Sequence, residues 1–175
     1  MVCDGYGLEQ RHYHDLIEST TYILRSFKYA LPPNKDESNN TVGLRAHKDT
    51  SFFTILHQNN VTGLQVKLKN GEWFDVDPSP FMFLVLAGES FQVWSNDRIK
   101  ACEHRVMIMN EKKQRFSMGL FSVGTTIQPH EELVDDEEHP RHYKPFDFYD
   151  YLKFIGTKEA LESKCRIKTF CGIDD

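Results

Sequence analysis

Two side chains able to hold a metal ion lie two positions apart in the stretch AHKDTSFFTILHQ, residues 46–58: His47 and Asp49. On a β-strand that spacing puts both on one face of the sheet. An imidazole and a carboxylate turned together into an interior need something to stabilise them, and a metal is one candidate. His104, in KACEHRVMIMN, is the third residue of interest. Alternation along that segment places Cys102, His104, Val106 and Ile108 on one face, so His104 points inward among apolar neighbours. Taken alone, such a histidine is more often a hydrogen-bonded core residue than a ligand. Together with His47 and Asp49 it completes two imidazoles and one carboxylate, a facial set that leaves half of an octahedron open, as in non-haem Fe(II) oxygenases. Zinc accepts the same donors, usually four-coordinate, so the three residues alone do not choose between the metals.

A second constellation lies one strand further on. In QRFSMGLFSV, Arg115 and Ser117 share a face with Gly119 and Phe121, while Phe116 and Met118 take the other. An inward arginine is costly unless a carboxylate meets it. Its planar fork suits a bidentate carboxylate, and a neighbouring serine hydroxyl adds one more hydrogen bond. A dicarboxylate co-substrate and an acidic residue of the barrel are readings of equal weight. The other histidines read as structural. His12 and His14, at i, i+2 on a helix, diverge and suit the surface. His139 and His142 sit in a solvated loop, His57 is a partly buried, satisfied residue, and His130 begins a helix.

These residues need elements to position them. Residues 8–20, LEQRHYHDLIEST, carry near-helical apolar spacing and predict an amphipathic helix. TYILRSFKY then predicts a strand, and ALPPNKDESNNT a polar loop. From residue 42 to about 123 the pattern is short strands between turns: VGLRAHKD, FFTILHQ, GLQVKL, WFDV, FMFLVL, FQVWS, IKACEHRVMIM and RFSMGLFSV. The unbroken apolar run FMFLVL suits a strand buried on both faces. Gly88-Glu89, Asn96-Asp97 and NEKKQ mark turns. Beyond Val123 an acidic, Pro-bounded stretch leads to FDFYDYLKFIG and TKEALESKCRIKTF, two short helices. The expectation is a mainly β fold, a double-stranded β-helix (jelly roll) core over about 21–124 with flanking α-helices, the C-terminal ones within about 125–175, as one domain over 1–175.

The bulk properties exclude several classes. The chain has 175 residues, a net charge of −5 and thirteen Phe, so nothing electrostatic invites nucleic acid. It contains no apolar run of bilayer length and no apolar signal-peptide core at its N-terminus. Cys3, Cys102, Cys165 and Cys171 lack CxxC spacing, which speaks against a zinc knuckle and a disulfide scaffold and for reduced thiols in a cytoplasmic protein.

Read in order, HKD (47–49), TILHQ (54–58), GLQV (63–66), Trp73, Gly88-Glu89, WSN (94–96), HRV (104–106) and RFS (115–117) run through most of the chain. In this the sequence resembles the plant-type 2-oxoglutarate- and Fe(II)-dependent dioxygenases. LRSFKY, PHEELVDDEEHP and FDFYDYLKF are similar to the AOP-like branch acting in specialised metabolism. The resemblance implies that His47, Asp49 and His104 bind Fe(II), and that Arg115 and Ser117 bind the distal carboxylate of 2-oxoglutarate with help from Tyr29. Phe27 departs from the Asn usual in the family, Glu89 from Asp, and Asp97 from Gly. The implied reaction takes O2 and a small-molecule substrate, with ascorbate as reductant, and releases succinate and CO2 while hydroxylating, desaturating or demethylating a C–H bond. The protein is expected to be a monomer without nucleic-acid or membrane partners. Family members are longer, with an N-terminal region before the helix near Leu8. The alternatives are a non-catalytic remnant that keeps metal binding, and a zinc protein that does not use 2-oxoglutarate. Phe52, Phe121 and Phe146 are candidate pocket liners whose simpler role is core packing.

Overall fold

The β-branched and aromatic runs do become strands. The computed structural model describes residues 2–9, 16–31, 41–77, 79–108, 113–135 and 137–173. After a one-turn helix α1 (Val2–Gly5) come β1 (Thr21–Lys28), β2 (Thr41–His47), β3 (Phe53–Gln58), β4 (Leu64–Lys67), β5 (Trp73–Asp75) and β6 (Leu84–Ala87). Helix α2 (Glu89–Trp94) precedes β7 (His104–Ile108) and β8 (Phe116–Val123). The C-terminal part holds β9 (Thr126–Ile127), a 3₁₀ turn (Glu131–Leu133), β10 (Phe146–Asp147), α3 (Phe148–Phe154), α4 (Lys158–Glu162) and α5 (Arg166–Cys171).

The strands form two four-stranded antiparallel sheets, ordered β1-β8-β3-β6 and β2-β7-β4-β5. This is the expected jelly-roll core. Between the sheets Leu64, Val106 and Ile108 are buried, with Tyr29, Leu56, Val76 and Leu84 packed on them. A larger core, including Phe52, Val93, Trp94, Ile127, Phe148, Tyr151 and Ile167, lies where α2 and the C-terminal helices meet. Phe52 therefore serves packing, and Phe146 packs against the same cluster.

Several local expectations need correction. FQVWS is helical, not a strand, because α2 is buried nearly all round (Glu89, Ser90, Gln92, Val93, Trp94) and such burial erases helical periodicity. Gly88, expected in a turn, is the N-cap of that helix. FMFLVL is not buried on both faces: β6 is an edge strand paired only with β3, and Phe81, Phe83 and Val85 are 92%, 70% and 64% exposed. Val85 ends a cross-strand apolar row, Leu24–Leu120–Ile55–Val85, on the outer face of its sheet. TKEALESKCRIKTF forms two helices, because Ser163 and Cys165 adopt extended backbone between α4 and α5. The Asn96-Asp97 turn is as expected, with positive φ of 50° and 71°. Of the helix expected over 8–20, Leu16–Glu18 are helical, while His12 and His14 lie outside the described residues, as do most of the ALPPNKDESNNT loop and the NEKKQ turn.

Candidate metal centre

β2 ends at His47, so Asp49 stands in the loop beyond it rather than on the same strand face. A loop bent through residues 50–52 before β3 returns the carboxylate to the histidine. β7 lies beside β2 in a register that places His104 opposite His47. The ring centroids of the two histidines are 4.3 Å apart. Asp49 Oδ1 lies 3.5 Å from His47 Nε2, and Asp49 Oδ2 lies 3.8 Å from His104 Nε2. One donor atom from each of the three residues falls within 4.8 Å of the others, the span a single ion bridges.

The donors are aimed as well as gathered. His47 Nδ1 is 2.8 Å from the Arg45 carbonyl, and His104 Nδ1 is 3.2 Å from the Cys102 carbonyl. Each Nδ1–H is therefore the donor, which leaves Nε2 of both rings with a lone pair facing the carboxylate. Thr54 Oγ1 donates to Asp49 Oδ2 at 2.5 Å and fixes the carboxylate plane. Burial alone would lower the pKa of His47, but its contact with Asp49 and the Arg45 carbonyl raise it overall. At His104 burial prevails and the pKa is lowered. Burial opposes ionisation of Asp49 too, yet the two histidines and Thr54 hold it below the ordinary carboxylate value. This anionic carboxylate between two imidazole lone pairs is a donor set for a divalent cation.

The second group gathers around β8. Arg115 is buried, and its Nη2 donates to Gln58 Oε1 at 2.5 Å. Its Nε and Nη1 are buried with no hydrogen-bond partner. Among the described residues no carboxylate pairs with it, so the acidic-partner reading of Arg115 fails. The guanidinium lies 4.6 Å from the Tyr29 ring centroid, and Tyr29 Oη is 3.3 Å from Ser117 Oγ. Burial lowers the Arg115 pKa against the opposing influence of Tyr29, and a guanidinium remains charged throughout. Two orphaned donors on a buried cation, with a serine and a tyrosine hydroxyl at hand, suit a carboxylate. The space among Tyr29, Val61, Ile108 and Arg115 is only about 10 Å³, so the Tyr29 ring must swing aside to admit one. β7 joins the two groups: His104 opens it, and Ile108, beside Arg115, closes it roughly 13 Å away at about 3.3 Å per residue.

The remaining histidines stay outside this centre. His57 is partly buried against Phe83, His130 caps the 3₁₀ turn, and His139 and His142 are exposed. Sequence reasoning gave no role to Thr54 and Gln58. Their signal was available, since polar residues at alternate positions of an apolar strand both face inward. Glu89 and Arg166, which contact the ligand loop, gave no such signal. A cavity of about 240 Å³ borders His47, Lys48, Glu103, Cys165 and Arg166. A larger one of about 540 Å³, near Trp94 and Pro129, is lined by none of the clustered ligands.

Comparison with known proteins agrees with this geometry. The sequence profile of the 2OG-Fe(II) oxygenase superfamily matches residues 20–123. The Arabidopsis thaliana protein named "Probable 2-oxoglutarate-dependent dioxygenase AOP1" is 43% identical over 162 residues, 90% of this chain and 53% of that protein. The chain thus spans about half the length of this relative. Among solved structures, JOX2 in complex with 2OG, Fe and JA aligns with a TM-score of 0.77 and 33% identity, covering 89% of this chain and 46% of that one. The dioxygenase for auxin oxidation in rice aligns with a TM-score of 0.73 and 30% identity, covering 88% and 51%.

Proposed function

The chain belongs to the 2OG-Fe(II) oxygenase superfamily, and on that premise we propose that His47, Asp49 and His104 hold Fe(II) while Arg115, Ser117 and Tyr29 hold the distal carboxylate of 2-oxoglutarate. Such an iron, supplied with 2-oxoglutarate and O2, provides an oxidant able to attack C–H bonds, with release of succinate and CO2. The chain's own part is positioning and exclusion of water. The carbonyls of Arg45 and Cys102 keep both imidazoles in the Nδ1–H tautomer. Thr54 holds the Asp49 carboxylate, and Arg115 supplies two donors that no protein group uses. That last observation carries the reading, because a buried guanidinium with idle N–H groups is explained by an anionic ligand and by little else.

The substrate is a small molecule, oxidised by hydroxylation, desaturation or demethylation, and it enters through the 240 Å³ cavity beside His47. The structural relatives support that class, one holding JA beside 2OG and Fe, another named for auxin oxidation. Action as a monomer in cytoplasmic specialised metabolism belongs to the same proposal. Among the described residues no helix is long and apolar enough to cross a membrane.

The test is an anaerobic titration with Fe(II) and then 2-oxoglutarate, read as a visible metal-to-ligand charge-transfer band. A band that is lost in His104→Ala supports both the triad and the chelate. A folded protein without the band would instead favour a remnant lacking the centre.

A further inference from the structure

The loop that carries the ligands is gripped from two distant parts of the chain. Glu89, the first residue of α2, donates its N–H to the Asp49 carbonyl at 2.8 Å. Gly88 beside it approaches so closely that a Cβ would lie 1.9 Å from the Ser51 carbonyl oxygen and 3.0 Å from that of Asp49. From the other side, Arg166 at the start of α5 donates Nη2 to the carbonyl of Lys48. Lys48 is the residue between His47 and Asp49.

Arg166 is itself held firmly. Its Nε and Nη2 reach the Glu89 carboxylate at 2.9–3.1 Å. Glu89 is 2% exposed, and it also accepts the Tyr151 hydroxyl at 2.8 Å. Tyr151 is fully buried in the core beneath α3. Nη2 thus serves the Glu89 carboxylate and a backbone carbonyl together, a fork geometry that a lysine ammonium on its flexible stem does not reproduce. An ion pair serving the fold alone has no need of that backbone carbonyl.

We infer that Arg166 is a positioning residue for the metal. Oriented by Glu89 and Tyr151, it fixes the peptide between the two loop-side ligands and so the distance and angle at which the imidazole and carboxylate meet the ion. The C-terminal helices are then part of the metal centre's frame. This inference rests on the Fe(II) reading above.

The test compares wild type, Arg166→Lys, Arg166→Gln and Tyr151→Phe by anaerobic Fe(II) titration at saturating 2-oxoglutarate, read by the charge-transfer band. Unfolding midpoints of the metal-free proteins and 2-oxoglutarate affinity at saturating Fe(II) are measured alongside. Arg166→Lys is expected to fold and to bind Fe(II) about 10–100-fold more weakly, the usual effect of losing a group that orients a ligand. Its 2-oxoglutarate affinity at saturating metal should stay within about twofold, because Arg115 does not touch this network. Tyr151→Phe should give a smaller loss of the same kind. If Arg166→Gln does not fold, the other two variants decide. Lowered midpoints with unchanged Fe(II) affinity in the folded variants would make the network merely structural and overturn the inference. A wild type without the band overturns the Fe(II) reading and this inference together. A wild-type band with an unaltered Arg166→Lys titration overturns this inference alone.

Discussion

Replacing Arg115 with methionine asks whether this buried cation serves the fold or a ligand. Its Nε and Nη1 have no acceptor, and each such donor costs about 1–3 kcal/mol, or about 2–6 kcal/mol for the two. Against this stand the bond to Gln58, worth about 1.5–3 kcal/mol, and the Tyr29 ring contact, worth about 0.5–2 kcal/mol. The two sides nearly cancel. The ligand-free Arg115→Met protein should therefore unfold within about 1 kcal/mol of the wild type, whereas breaking a fully partnered buried pair costs about 3–5 kcal/mol. The ligand side does not cancel. Two charge-assisted hydrogen bonds to a carboxylate are worth about 3–6 kcal/mol, roughly a hundred- to ten-thousandfold in affinity. Urea unfolding of the anaerobic Fe(II) protein, with and without 2-oxoglutarate, reads both quantities. At a hundred times its dissociation constant the ligand should stabilise the wild type by about 2.7 kcal/mol and the variant not at all. A variant that loses about 3 kcal/mol without ligand, yet keeps the 2-oxoglutarate stabilisation, would refute the reasoning.

Thr54→Val removes the hydroxyl on Asp49 Oδ2 and should weaken Fe(II) binding about tenfold in the same charge-transfer titration, with 2-oxoglutarate affinity retained. Gly88→Ala drives a methyl into the Ser51 and Asp49 carbonyls, and thermal unfolding should show a loss of about 3 kcal/mol together with loss of the Fe(II) band. Burial opposes ionisation of Asp97, but Tyr143, Lys100 and Gln92 hold its carboxyl below the ordinary value. Its stabilisation is therefore present above the unfolded pKa of about 3.9 and is lost as pH falls through the lower folded value. The stability gap between wild type and Asp97→Asn, measured by urea unfolding across pH, should accordingly be widest above pH ~4 and shrink below it. Leu24→Lys with Val85→Lys places charge on the exposed outer face and should reduce light-scattering signs of self-association while leaving Fe(II) affinity unchanged.

The metal-binding residues were legible because few arrangements explain two inward histidines and an aspartate on neighbouring short strands. Arg115 and Ser117 were legible through strand alternation, since Phe116 and Met118 do face outward. Other segments misled for physical reasons. FQVWS lost its helical signature because α2 has hardly any solvent face. FMFLVL looked doubly buried because its composition does not show that β6 is an edge strand with an uncovered outer face. The break between α4 and α5 falls in ESKC, which has neither Gly nor Pro to mark it. The Glu89–Arg166 tie joins residues 77 apart, a separation at which one sequence offers no pairing signal.

Both imidazoles of the centre lean on the peptide oxygen two residues earlier in their own chain segment, Arg45 for His47 and Cys102 for His104. A backbone oxygen belongs to every residue type, so no side-chain exchange at position 45 or 102 takes it away. The tautomer of the ligands is written into the path of two strands, not into their neighbours' identities. The side chains bordering the cavity beside His47 are thereby released to vary with the molecule being oxidised, and the chemistry can be inherited intact while its target drifts.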